Sequence, residues 1–110
     1  MTPESLSPEE FQQRLAASPA LLAYFSAPGC NVCVSLQPKI WELLEAEFPR
    51  MDKVYVDTSS SRELAAQQQV FAVPTLIGYF DGREFIRKGR SMGLGELRGE
   101  LVRPYGLLFD

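Results

Sequence analysis

Cys30-Asn31-Val32-Cys33 is the only place in this 110-residue chain where two soft nucleophiles stand together. Two intervening residues put the thiols nearly one helical turn apart, close enough to close a small ring. Such a pair suits attack by one thiol on an external disulfide and release by the other. The attacking species is the thiolate, so the chemistry needs surroundings that lower a thiol pKa. Two other readings fit the same residues. Paired cysteines can be small buried hydrophobes brought together by chance. A zinc or iron–sulfur site needs four ligands, and one CxxC without any histidine offers two, so a metal would have to be shared between two chains.

The flanking pattern says how the pair is held. Ala20 to Ser26 is an apolar run with aromatics, read as a buried central strand. Ala27-Pro28-Gly29 breaks it, and a helical pattern runs from about Asn31 to Glu47, with Leu36, Ile40, Leu44 and Phe48 recurring every four residues. Pro38 lies inside this pattern and predicts a kink within one helix. Cys30 then falls at the helix N-terminal edge, where free N–H groups and the positive dipole end favour a thiolate. A CxxC at a strand-to-helix turn is a much stronger redox signal than a CxxC alone.

Other elements follow from similar cues. Ser7-Pro8-Glu9-Glu10 is a capping box opening a first helix with Phe11 and Leu15 on one face, ending near Ser18-Pro19. Lys53 to Asp57 reads as a second strand. Ser60-Ser61-Arg62-Glu63 is a second capping box, opening a helix to about Gln69. Thr75 to Phe80 is a third strand, turned by Asp81-Gly82 into an antiparallel Glu84–Arg87 strand. A glycine-rich loop over 89–95 leads to a last helix marked by Leu94, Leu97 and Leu101, which Pro104 is expected to stop. The order α-β-α-β-α-β-β-α implies an α/β fold: parallel strands with right-handed crossovers and a terminal antiparallel hairpin.

Composition narrows the function. Apolar residues are 45% and charged residues 23%, which excludes disordered, collagenous and coiled-coil classes. A net charge of -3 supplies no excess for neutralising phosphates, so no nucleic-acid partner is expected. The Ala20–Phe25 run is far shorter than the roughly 20 residues of a membrane helix. Met1-Thr2-Pro3-Glu4-Ser5 has neither a basic region nor an apolar core, so no secretory signal is read and a cytoplasmic location is expected. One domain over 1–110 is expected, with its core at about 8–102 and an apolar tail over 103–110 that packs back on it. Trp41 is expected as core or groove filler, and Arg83, Arg87, Lys88 and Arg90 as a solvated basic edge.

These motifs together resemble the thioredoxin family. Phe25-Ser26-Ala27-Pro28-Gly29-Cys30-Asn31-Val32-Cys33 is similar to the family's strand and active-site turn, and Pro38 stands where its helix-kinking proline does. Val73-Pro74-Thr75 matches the cis-proline segment at the usual separation from Cys33, and Asp81-Gly82 and Gly89 match the hairpin turn and the groove glycine. The resemblance implies a thioredoxin-like fold with a central mixed four-stranded sheet flanked by helices, the family's first strand being short or missing. It implies a thiol-disulfide oxidoreductase in which Cys30 attacks and Cys33 resolves. Gly29, Asn31, Val32, Val73, Pro74 and Gly89 would line the substrate groove, with Val73-Pro74 a cis peptide whose backbone pairs with substrate. It implies no metal and no cofactor beyond the redox-active Cys30–Cys33 disulfide. Expected partners are disulfide-containing proteins and an upstream thiol or flavin-dependent reductase, with the protein itself a monomer.

Departures from the family pattern are specific. Gly29 replaces the tryptophan before the first cysteine, Asn31-Val32 replaces Gly-Pro, and Tyr24 replaces a buried aspartate, while Lys53 holds the place of that aspartate's lysine partner. A phenol is a poor base for Cys33, so either water or Asp57 does that job or the mixed disulfide resolves slowly. With no histidine nearby, only the helix terminus stabilises the Cys30 thiolate, which predicts a modest pKa depression and a fairly reducing couple. The rival reading is a thioredoxin-fold binding or assembly module whose cysteine pair is structural or regulatory.

Overall fold

The computed structural model describes residues 2–109; Met1 and Asp110, the ends of the expected domain and tail, lie outside the described residues. Eight elements follow in order: α1 (Pro8–Ala16), β1 (Ala20–Ser26), α2 (Asn31–Glu47), β2 (Asp52–Asp57), α3 (Arg62–Gln67), β3 (Thr75–Phe80), β4 (Arg83–Lys88) and α4 (Leu94–Phe109). The strands form one mixed sheet in the order β2-β1-β3-β4.

Alternation along β1 explains why this strand is central. Ala20, Leu22 and Tyr24 point into one core with Ile40, Trp41 and Leu44 of α2 and Leu97 and Leu101 of α4. Leu21, Ala23 and Phe25 point into the other, with Phe11 and Leu15 of α1 and Leu64 of α3. Successive side chains of a strand face opposite sides, so a run buried on both faces must read as continuously apolar. Phe11 is fully buried against Phe25 and Tyr79, with ring centroids at 6.3 and 5.6 Å. A side chain of this kind contributes roughly 1.5–3 kcal/mol on burial.

The capping box on α1 is present as expected. Ser7 Oγ accepts the Glu10 N–H at 3.1 Å, and the Ser7 N–H donates to Glu10 Oε1 at 2.8 Å. The helix ends at Ala16, slightly before Ser18-Pro19. Asp81 and Gly82 turn the β3–β4 hairpin with φ of 56° and 78°, the doubly left-handed pair that a tight two-residue turn demands.

Four expectations are corrected. β1 and β2 are parallel, but β3 runs antiparallel to β1, with Thr75 opposite Phe25. The six-residue α3 rises only about 9 Å and does not carry the chain back along the sheet, so β3 starts at the end where β2 stops. Ser60-Ser61-Arg62-Glu63 is not a capping box. Ser61 is the N-cap and makes no side-chain cap bond; its Oγ accepts the Leu6 N–H at 2.9 Å, and α3 ends at Gln67 rather than Gln69.

Pro104 does not stop α4, which continues to Phe109. Packing overrides the lost N–H: Tyr105 stacks edge-on against Phe48 at 5.1 Å and takes a 3.0 Å hydrogen bond from the Arg50 N–H, while Arg50 lies over the Phe109 ring at 4.4 Å. Of the expected tail, Pro104, Tyr105 and Phe109 thus pack back as helix, while Leu107 and Leu108 stay exposed. Finally, the basic edge is not uniformly solvated, because Arg87 pairs with Glu84 and Lys88 with Glu96 and Glu100.

Among the described residues no regular strand precedes α1. What remains is a single parallel bridge from Glu4 to Val56, made by Glu4 N–H to the Tyr55 carbonyl at 2.6 Å and Asp57 N–H to the Glu4 carbonyl at 2.9 Å.

Candidate active site

β1 delivers the chain to one end of the sheet, and Ala27-Pro28-Gly29 turns it into α2. Gly29 has φ +79°, a left-handed conformation that L side chains rarely adopt. That turn, closed by a 3.3 Å bond from the Cys30 N–H to the Ala27 carbonyl, sets Cys30 as the N-cap of α2 in extended geometry. Its carbonyl accepts the first helical bond from Val34, and its Sγ accepts the Cys33 N–H at 3.2 Å. A cap normally offers an oxygen to that orphan donor; here a sulfur does, so the N–H is already aimed at any charge the sulfur carries. No acidic side chain lies in the first turn of α2 to oppose such a charge.

Cys30 and Cys33 form a disulfide with Cα atoms 5.3 Å apart. The two sulfurs are not equivalent. Cys30 is partly exposed, whereas Cys33 is fully buried beneath the helix. An incoming nucleophile or disulfide therefore meets Cys30 first.

Behind Cys33 the site is aromatic. The Tyr24 hydroxyl donates to the Cys33 carbonyl at 2.8 Å, and its ring is packed by Trp41 and Tyr55 at 6.1 and 5.6 Å. Burial, reinforced by Tyr55, pushes the Tyr24 phenol well above its ordinary range, so it stays a neutral donor. Trp41 is core, as expected, and its indole N–H has no hydrogen-bond partner among the described residues. Lys53 has no buried aspartate to meet and pairs with Glu45 at 3.5 Å. Asp57 lines an open cavity with Ser26, Gly29, Gln37 and Tyr55. Its carboxylate is held by the Ser59 hydroxyl and N–H at 2.6 and 2.9 Å, bonds that lower its pKa.

Two stretches lie at the same sheet end as the cysteine turn. Val73-Pro74 is a cis peptide immediately before Thr75, which pairs with Phe25. Pro74 is buried and Val73 half-buried. Gly89 follows Lys88, whose partner on β3 is Leu76, so it continues β4 toward the Thr75 level. Gly89 is exposed, and a Cβ there would meet open space. Asn31 and Val32 are both exposed on the first turn of α2.

A groove beside the disulfide is lined by Asn31, Val32, Ser35, Leu36, Lys39 and Arg90. The sequence reading included Asn31 and Val32 as site residues but not the other four. Helical spacing carried a signal, since Asn31 and Ser35, and Val32 and Leu36, lie one turn apart. Nothing local joined Arg90 to that face. Among the described residues no group of three or more histidine, cysteine, aspartate or glutamate side chains could hold a metal ion, and no helix is long and apolar enough to cross a membrane.

A family model described as Thioredoxin matches residues 2–98. The chain is 38% identical over 89 residues to a thioredoxin of Chlamydia trachomatis, covering 81% of this chain and 82% of that protein. It is 34% identical over 84 residues to the thioredoxin-like protein YdfQ of Bacillus subtilis, covering 76% and 74%. Among solved structures, thioredoxin 1 of Thermosipho africanus superposes with a TM-score of 0.72 at 28% identity, covering 79% of this chain and 96% of that one. The fold is also shared with Fasciola hepatica thioredoxin, at a TM-score of 0.79 and 24% identity, covering 93% and 98%.

Proposed function

This chain belongs to the thioredoxin family and is a thiol-disulfide oxidoreductase, and on that premise we propose that Cys30 is its attacking thiol and Cys33 its resolving thiol. The observation that carries the assignment is the asymmetry of the pair: Cys30 is partly exposed at the helix N-cap with the Cys33 N–H on its sulfur, and Cys33 is buried.

In the reducing direction the Cys30 thiolate attacks one sulfur of a protein disulfide. A Cys30–substrate disulfide forms, the substrate S–S bond breaks, and the first substrate thiolate leaves. Cys33, once deprotonated, attacks Cys30 Sγ, closes the Cys30–Cys33 disulfide and expels the second substrate thiolate. Two electrons pass from the dithiol to the substrate, and two protons end on the substrate thiols. Tyr24 supplies no base in this step; it holds the Cys33 carbonyl and hence the first turn of α2. The family needs no cofactor beyond its own disulfide.

Gly29, Asn31, Val32, Val73, Pro74 and Gly89 form the docking surface in this reading. The Val73 backbone supports it, because neither its N–H nor its carbonyl has a backbone hydrogen-bond partner among the described residues. An extended substrate segment can pair there as an added strand. A monomer in the cytoplasm, recharged by an upstream thiol or flavin-dependent reductase, completes the proposal.

Trapping tests it. A Cys33→Ser variant mixed with a disulfide-bonded protein should accumulate a covalent adduct that a thiol reductant releases, and Cys30→Ser should not. Adducts on Cys30→Ser alone would reverse the roles, and adducts on neither would remove the exchange chemistry.

A further inference from the structure

Lys39 and Arg90 stand on different walls of the groove beside the disulfide, Lys39 on α2 and Arg90 on the loop after Gly89. Val32 and Leu36 supply the groove's apolar lining. Both cations are exposed, and neither has a carboxylate within salt-bridge distance among the described residues. Their neighbours on the hairpin behave differently: Arg87 and Lys88 are each tied to acids. Among the described residues no acidic side chain lines the groove, although Lys39 also borders a second cavity with Glu42 and Glu47, neither of which pairs with it. The whole chain carries -3, so its overall field repels acidic polypeptide, and only local charge reverses that sign. Two cations lining the groove that starts at Asn31 and Val32, between the two cysteines, are placed to do so.

We propose that this groove receives the chain segment flanking the attacked cysteine, and that Lys39 and Arg90 select protein disulfides with aspartate or glutamate in that segment. The selection rests on the exchange reading above. It is a positioning effect on the encounter and the mixed disulfide, and it leaves the electron transfer as written. Exposed ion pairs contribute modestly, so an acidic peptide should exceed a basic one of equal length by roughly three- to thirtyfold in kcat/KM.

The test uses the full reduced protein and three synthetic peptides with the same intramolecular disulfide, flanked by glutamates, glutamines or lysines. Consumption of protein thiol is followed at about 0.01 M and about 0.5 M salt, where screening lengths differ several-fold. The glutamate peptide should react fastest at low salt, and its advantage should shrink at high salt. The Lys39→Gln/Arg90→Gln double variant should bring the glutamate-to-lysine ratio close to one. An Arg83→Gln/Arg103→Gln double variant, with the same loss of net charge elsewhere, should keep the ratio. Equal rates for all three peptides in the wild type, or the same collapse in both double variants, would overturn the groove selection while leaving disulfide exchange intact. A wild-type protein that reduces none of the peptides would overturn the exchange reading, and the groove selection with it.

Discussion

The Tyr24 hydroxyl donates a buried 2.8 Å hydrogen bond to the Cys33 carbonyl. Tyr24 occupies the position where the family pattern carries a buried acid. A phenol that burial holds protonated cannot shuttle protons near neutral pH, so its contribution is to position the first turn of α2. Replacing Tyr24 with Phe should therefore cost about 1 kcal/mol in urea unfolding of the oxidised protein, the usual worth of one such bond. It should leave the pH dependence of disulfide exchange unchanged between about pH 6 and 9. A displaced pH midpoint in Tyr24→Phe would show that the hydroxyl does titrate during exchange.

Gly29 and Gly89 both belong to the proposed docking surface, yet the backbone asks different things of them. Gly29 needs a left-handed φ, and a Cβ there meets nothing, so Gly29→Ala should destabilise through backbone strain alone, by about 1–2 kcal/mol. Gly89 has no such requirement and also faces open space, so Gly89→Ala should stay within about 0.5 kcal/mol of the parent. Urea midpoints of the two variants decide the matter. Equal losses at both positions would contradict the difference in backbone geometry.

How far these features were readable depends on how local they are. The Cys30–Cys33 turn, Pro38 within α2, Val73-Pro74 and the Asp81-Gly82 hairpin each lie in a few consecutive residues, and each stands where the sequence pattern put it. The direction of β3 was not readable, because it depends on how far a six-residue α3 can carry the chain. Nor was the passage of α4 through Pro104, which depends on Phe48 and Arg50 receiving Tyr105 and Phe109. Ser61 looked like part of a cap but spends its hydroxyl on the Leu6 N–H, from a segment far away in sequence. The meeting of Lys39 and Arg90 was hidden for the same reason: two elements build that groove.

Stability should be flat between roughly pH 5 and 9 and fall on both sides. On the acid side, Glu84 is held below its ordinary 4.5 by hydrogen bonds from Arg87, and Asp57 below 3.8 by Ser59. Each carboxyl is a stronger acid folded than unfolded, so its stabilisation is complete above the ordinary value and is lost as pH falls through the folded one. On the alkaline side, burial raises Tyr24 and Tyr79 above 10.0, so unfolding gains from their ionisation only at pH above that value. Urea midpoints across pH check this, and Glu84→Gln should flatten part of the acid limb. An optimum below pH 4 would contradict the assigned hydrogen bonds.

The most direct measurement is the rate at which iodoacetamide alkylates each cysteine of the reduced protein as a function of pH, with the modified residue identified by peptide mass. Expected is selective labelling of Cys30, with a midpoint below that of the same cysteine in the urea-unfolded chain, because the helix N-terminus and the Cys33 N–H stabilise its thiolate. Labelling of Cys33 first, or a Cys30 midpoint no lower than in the unfolded chain, would contradict the assignment of Cys30 as the attacking sulfur.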